Sequence, residues 1–328
     1  MWFSPSLILM LISIMTSVFL ILSSPSLFIS WLGLELNTLA FLPLMLVKKT
    51  SMSSEGSVKY FLTQTLASIL IIISIVMFFL DLNNVGNSLL LVGLSIKLGA
   101  APFHSWILSV AETLNWPVLF ILLTVQKINP LFMLWNFSSY WGNVFDVIII
   151  MSLVVGSLMG LIQTSTRLLM TFSSISHMGW LLISVSFDLW MGVLYFFIYM
   201  VVLLPVIMIF NIFNISYVNE FFLMNFSLSK QILLFLSILS LGGLPPFLGF
   251  LPKWLILQVA VSMGWYFFSL IMILASLFTL FFYLRMTFTA FILGGSSLFE
   301  TKIFYSLGNL NLFMLSLSIL GLPLFLFV

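Results

Sequence analysis

The chain has 328 residues, of which 62% are hydrophobic and only 5% charged, with a net charge of +2. A soluble domain carries about a quarter charged residues, so this composition cannot cover a water-facing surface, and so small a positive balance argues against a nucleic-acid partner. With no cysteine, disulfides, iron–sulfur ligation and covalently attached haem are excluded.

Helices and closed barrels are the two structures that satisfy their backbone hydrogen bonds in hydrocarbon. A barrel needs strands alternating apolar and polar residues, whereas here the apolar runs are long and unbroken, as in residues 68–80 (SILIIISIVMFFL). The expected fold is therefore all-α and polytopic, with spans of about 20 residues. In chain order the candidate spans are about 3–22, 27–47, 58–80, 88–110, 117–136, 145–165, 168–187, 189–213, 230–260, 264–292 and 304–327, about eleven in all. The N-terminus reads Met1, Trp2, Phe3, Ser4, Pro5, without a basic n-region or an Arg/Ser-rich presequence, so the first span is expected to belong to the mature protein. Loops are short, so residues 1–328 read as one transmembrane domain, with a first half at about 27–136, a second at about 145–260 and C-terminal helices at about 264–327.

Loop charges give an orientation. Even-numbered loops hold Lys48, Lys49, Arg167 and Lys302, with Lys230 at a span start; odd-numbered loops hold Asp81 and Asp188, with Asp146 at a span edge, and no Lys or Arg. Lys/Arg excess marks the cytoplasmic or matrix side, so the N-terminus is expected there.

Two spans read as interrupted. Both contain G-x-x-P-F, at 99–103 and at 243–247, the second followed by Gly249 and Pro252. Proline lacks an N–H and clashes with the preceding turn, so each span is expected to break near mid-membrane, around 99–103 and 243–252. Paired broken helices in two halves of a transporter point to a translocation site; prolines that merely kink membrane helices are the plainer alternative. A lysine accompanies each break, which favours function.

A charge deep in lipid costs roughly 2.5–3.5 kcal/mol on insertion scales. Four such charges stand out. Glu35 is mid-span, Lys97 precedes the first break, Lys127 is central in its span three residues before Pro130, and Lys253 follows the second break. Snorkelling of Lys253 and a structural ion pair for Glu35 are the bland readings; Lys59, Lys230 and Arg285 lie near span ends and read as interfacial anchors. The chemistry these four suit is proton transfer: burial disfavours the charged form of a lysine and a nearby carboxylate restores it. Glu35 is the one carboxylate deep in a span, which makes it the natural switch, with Lys97 the preferred partner. His104, just past the first break, and His177, among serine hydroxyls, titrate in the right range to relay protons, with hydrogen-bonded structural histidine as the equal alternative and axial haem ligation as a remote one. Polar side chains such as Gln64, Gln126, Asn129 and Ser173 fit a hydrated path as well as they fit interhelical packing. No nucleotide-binding glycine fingerprint follows a strand and no cluster of metal ligands is present, so the chain itself is expected to carry no redox centre, cofactor or metal.

Seven segments closely resemble a known family. They are 31–37 (WLGLELN), 58–64 (VKYFLTQ), 97–106 (KLGAAPFHSW), 126–130 (QKINP), 163–166 (QTST), 173–180 (SSISHMGW) and 241–254 (LGGLPPFLGFLPKW). In wording and order they are similar to the antiporter-like subunit 2 family of mitochondrial respiratory complex I, NADH dehydrogenase subunit 2, in its arthropod-like form. The resemblance implies an antiporter-like inverted-repeat bundle lacking the three N-terminal helices of bacterial relatives. It implies a multi-pass protein of the mitochondrial inner membrane, coupling NADH:ubiquinone electron transfer to proton translocation, with its N-terminus on the matrix side. FMN and iron–sulfur clusters would lie in other subunits and ubiquinone would bind elsewhere in the complex. Partners would be neighbouring antiporter-like, small membrane-arm and accessory subunits, and lipids such as cardiolipin. By motif, Glu35 falls on the family's switch glutamate, Lys97 on its partner lysine, Lys127 on the central lysine and Lys253 on the lysine of the second broken helix; His104 and His177 fall on histidines of the hydrated axis. One departure is Arg167-Leu168, where the family has two basic residues. A free-standing H⁺/cation antiporter and a structural spacer are the competing readings. The single deep carboxylate speaks against the first, and three mid-span lysines against the second.

Overall fold

The computed structural model describes residues 5–47, 50–137, 142–222 and 228–292. The expected span at 304–327, Lys48, Lys49 and Lys302 lie outside them, as does the side chain of Lys230. Among the described residues the elements are α1 (Pro5–Ser23), α2 (Leu27–Met45), α3 (Ser51–Phe79), α4 (Asn83–Leu98), α5 (Ser105–Thr113), α6 (Trp116–Leu123), α7 (Val125–Phe137), α8 (Asn143–Ile162), α9 (Thr166–Phe187), α10 (Leu189–Phe213), a 3-10 turn (Val218–Phe222), α11 (Leu228–Gly242), α12 (Phe250–Ser262) and α13 (Tyr266–Ile292). The fold is all-helical, and among the described residues eight segments are long and apolar enough to cross a membrane, α6 and α7 together forming one of them. The chain divides into two compact units, 1–152 and 153–328.

Both expected breaks are present, and glycine sets them. Helix α4 ends on Gly99 with φ 66°, and α11 is followed by Gly243 with φ 78°. This left-handed conformation is costly for any side chain with a Cβ, and the proline three residues on prevents the helix from resuming at once. Lys97 stands in the last turn of α4 and Lys253 in the first turn of α12. The sequence reading gave 117–136 as one continuous span, but the backbone is interrupted at Thr124 (φ −119°, ψ −80°), with no glycine there to announce it.

In the first unit α3 begins earlier than position 58. The Thr50 hydroxyl accepts from Ser53 N and the Ser53 hydroxyl accepts from Thr50 N, a capping box. With 29 residues, α3 is about 43 Å long, longer than the ~30 Å hydrocarbon layer. Its exposed Glu55–Lys59 pair sits on the first two turns. On that end Lys59 is an i,i+4 ion-pair partner, worth a few tenths of a kcal/mol at most.

In the second unit α9 is buried along nearly its whole length. Close backbone approach makes that possible: a Cβ on Gly156 of α8 would lie 2.4 Å from Ser176 N, beside His177. The α8–α9 junction is also tied to the segment after α10. Thr166 N donates to Ser216 O and Val218 N to Thr164 O, and Glu220 accepts from Ser216 N and Oγ, both at 2.6 Å. Burial pushes the Glu220 carboxyl up, but the Ser216 and Tyr217 donors and the Arg167 charge hold it below its ordinary value. Arg285 of α13, read from sequence as an interfacial anchor, instead donates to Leu161 O and Gln163 O, capping the carbonyl end of α8.

The second break is closely packed. Gly249 has φ −65°, which any residue adopts, but a Cβ there would stand 1.9 Å from Ser240 O. Gly249→Ala is therefore expected to cost about 2 kcal/mol or more through overpacking. Gly142→Ala, where a Cβ meets nothing within 4 Å, should be near-neutral. Blue-native quantification of assembled protein checks both; equal assembly would refute the difference.

Candidate functional site: buried lysines at three helix interruptions

In the first unit, Lys97 Nζ lies 3.5 Å from Glu35 Oε1. The pair is asymmetric: the Lys97 side chain is 2% exposed and that of Glu35 23%. Thr38 Oγ1 donates to Glu35 O and reaches Glu35 Oε2 at 3.5 Å, so the carboxylate is held from its own helix as well as from α4.

Helix α2 also presents Asn37, about 200° around the axis from Glu35. Asn37 Nδ2 donates to Gln126 Oε1 at 3.0 Å and Gln126 Nε2 donates back to Asn37 Oδ1 at 3.2 Å. Tyr60 OH of α3 donates to the same Gln126 oxygen at 3.3 Å. The neighbour of Gln126 is Lys127, buried in the first turn of α7. Its backbone N–H donates to Thr124 O at 2.9 Å, so the interruption sets where this side chain emerges. Tyr60 packs edge-on against Trp106 at 5.8 Å, and Trp106 Nε1 donates to Ile96 O at 2.9 Å. The turn that carries Lys97 is thereby pinned from beyond the break.

These groups enclose one cavity. Lys97, Lys127, Tyr60, Gln64 and Gln126 all line it, and it has room for about one water molecule. Among the described residues Gln64 Nε2 is buried and meets no acceptor. His104 stands in the turn between α4 and α5, partly exposed, with Nδ1 3.2 Å from Pro102 O, and is not among the residues lining this cavity.

In the second unit, Lys253 Nζ donates to Gly242 O at 3.0 Å. It thus covers an end carbonyl of α11, where a helix terminus is negative, and Gly243 leaves the room: a Cβ there would meet the Lys253 Nζ at 3.2 Å. His177 Nδ1 lies 2.7 Å from Tyr195 OH, and the His177 ring packs on Tyr199 at 4.9 Å. His177, Tyr195, Tyr199, Ser240, Gly249 and Pro252 line a second small cavity, against the break next to Lys253. Asn37, Tyr60 and Tyr195 were not singled out from sequence; their roles depend on partners far along the chain. Among the described residues no group of three or more His, Cys, Asp or Glu side chains gathers in a way that suits a metal ion.

The family model described as NADH:quinone oxidoreductase/Mrp antiporter, TM, matches residues 24–279. The NADH-ubiquinone oxidoreductase chain 2 of Anopheles gambiae is 43% identical over 296 residues, 87% of this chain and 85% of that one. The chain of the same name from Aedes aegypti is 40% identical over 326 residues, 95% of this chain and 94% of that one. A chain of respiratory complex I from Thermus thermophilus has the same fold, with a TM-score of 0.85 at 22% identity, covering 98% of this chain and 78% of that one. A chain of the Mrp complex from a Dietzia species gives a TM-score of 0.78 at 19% identity over 88% of this chain and 61% of that one.

Proposed function

Since the chain belongs to the NADH-ubiquinone oxidoreductase chain 2 family, arthropod-like within it, we infer that it moves protons through its two units by way of Glu35, Lys97, Lys127 and Lys253. It is an antiporter-like membrane subunit of complex I, and its enzymatic activity is that of the NADH:ubiquinone reductase of which it is a part. Its place is the mitochondrial inner membrane, N-terminus to the matrix, among the other membrane-arm subunits and lipids such as cardiolipin. FMN, the iron–sulfur clusters and the ubiquinone site belong to other parts of the complex.

The observation that carries the proton reading is the shared cavity of Lys97 and Lys127, with Glu35 3.5 Å from Lys97. When Glu35 turns away, Lys97 loses its counter-charge and favours releasing its proton; when Glu35 returns, Lys97 recharges. Lys127 is the central acceptor of the first unit. Lys253, on the terminal carbonyl of α11, is the corresponding station of the second unit. The measurement that tests this is protons moved per NADH oxidised in sealed vesicles bearing Lys127→Met; an unchanged ratio at full assembly overturns it.

His177 is a relay in this reading. A phenol O–H donating to Nδ1 leaves the ring proton on Nε2, because one nitrogen's hydrogen bond fixes the state of the other. Tyr195→Phe removes that donor and is expected to slow coupled turnover about fivefold, the factor of one hydrogen bond, with assembly unchanged. Turnover assays normalised to assembled complex check this, and wild-type turnover would remove His177 from the path.

A further inference from the structure

We propose that Gln64 is a positioning residue that holds and orients the water linking Lys97 to Lys127. The inference rests on the proton-translocation reading above and deepens it by naming what sets the polarity of the link.

Three observations converge on Gln64. It is 4% exposed. Its Nε2 meets no acceptor among the described residues, and a buried amide donor without a partner costs about 1–3 kcal/mol. It also lines the cavity that Lys97 and Lys127 share, which has room for about one water molecule. A water there accepts the Gln64 N–H and cancels that cost.

Gln126, the other amide at the cavity, is fixed by other partners. Its oxygen accepts from Asn37 and Tyr60, and one of its two N–H groups donates to Asn37. The two glutamines thus differ: Gln126 is oriented by its reciprocal amide pair and braces the wall, whereas the Gln64 nitrogen meets no acceptor among the described residues.

The polarity follows from counting lone pairs. A water has two. Gln64 Nε2–H occupies one, and the lysine that carries the transferable proton donates to the other. Both water hydrogens then point away, one of them at the lone pair of the amine form of the second lysine. Transfer breaks an N–H bond at the first lysine and forms an O–H bond on the water. A water O–H bond breaks as an N–H bond forms on the second lysine. One proton has moved, the water is regenerated, and no free hydronium is formed. The transfer leaves a hydrogen facing the first lysine and a lone pair facing the second, so the water must turn before the next transfer, and Gln64, holding the remaining lone pair throughout, is the pivot about which it turns. The titratable groups at this cavity are Lys97, Lys127 and Tyr60, with Glu35 behind Lys97.

The test uses the assembled complex carrying Gln64→Leu, Gln64→Glu or Lys127→Met, each assayed for assembly, protons per NADH, turnover from pH 6 to 9 (a range of about three units around neutrality) and solvent deuterium isotope effect. Gln64→Leu should slow coupled turnover about tenfold, the weight of one hydrogen bond near a charged group, and enlarge the isotope effect. Gln64→Glu should be slow when its carboxylate is ionised, having no proton to donate, and recover as pH falls and an O–H donor returns. A packing role predicts no such recovery. Wild-type turnover and isotope effect in Gln64→Leu, with Lys127→Met impaired, overturn the Gln64 role and leave the function standing. Wild-type behaviour of both variants overturns the two together. If Gln64→Leu does not assemble, Gln64→Glu decides: pH-dependent recovery supports the role, and a deficit flat across pH overturns it.

Discussion

Lys127→Met lowers coupled NADH:quinone turnover at least about tenfold, because a positioned proton donor or acceptor contributes roughly 10²–10⁴ to its step. The large effect on rate comes with a small one on structure. Lys127 is 2% exposed, so its ammonium stem is packed, and methionine keeps an unbranched, adaptable side chain of similar length. Removing a buried charge does not itself destabilise a helix in lipid, since the charge was costly to place there. The neighbouring brace keeps its own bonds, Gln126 to Asn37 and to Tyr60. Assembly should therefore stay near wild type by blue-native gel. Oxidation of NADH and acidification across the membrane should fall together. A variant that assembles poorly, with normal turnover per assembled complex, would make Lys127 a structural residue.

Glu35→Gln destabilises the assembled protein more than Lys97→Met does, by about 3 kcal/mol against a fraction of that. The difference follows from the exposures of the pair, 2% for the Lys97 side chain and 23% for that of Glu35. Neutralising Glu35 leaves a buried ammonium without its counter-charge, and an uncompensated buried charge costs roughly 3–5 kcal/mol. Neutralising Lys97 strands a carboxylate that still reaches the surface and keeps the Thr38 hydroxyl nearby. The double variant should recover most of the Glu35→Gln loss, as expected when the lost term is the pair itself. All three should lose proton movement. Thermal inactivation midpoints of the purified complex measure the stability order, and equal losses for the two single variants would mean that Lys97 is wetter than its burial implies.

What was legible in the sequence depended on how local its cause was. The two broken helices were readable because G-x-x-P-F carries its own mechanism: a residue that accepts positive φ, then one that cannot continue a helix. Lys97, Lys127 and Lys253 stood out because a charge is conspicuous against lipid-soluble neighbours. The interruption at Thr124 was not readable, since no glycine or proline falls there and the cause is tertiary. The amide pair of Asn37 and Gln126 joins residues 89 apart in sequence, and no periodicity reports such a contact. Arg285 was misread for a related reason: a long basic side chain near a span end fits anchoring as well as capping, and only the positions of Leu161 O and Gln163 O distinguish the two. Gln64 was visible as one of several polar residues, but what separates it from Gln126 is the partner it lacks.

The outward faces of α1, α3 and α10 bear on how the chain must be made. Phe79 is 81% exposed and Trp190 76%, in a surface that also includes Leu9, Phe19, Leu66 and Phe197. Each square ångström of such surface costs about 25 cal/mol in water, and α1 alone has 17% of its apolar window buried within the protein. A nascent chain released into an aqueous compartment would meet copies of itself before it met a bilayer. Translation and insertion must therefore proceed together, each span leaving the ribosome directly into the lipid that will surround it.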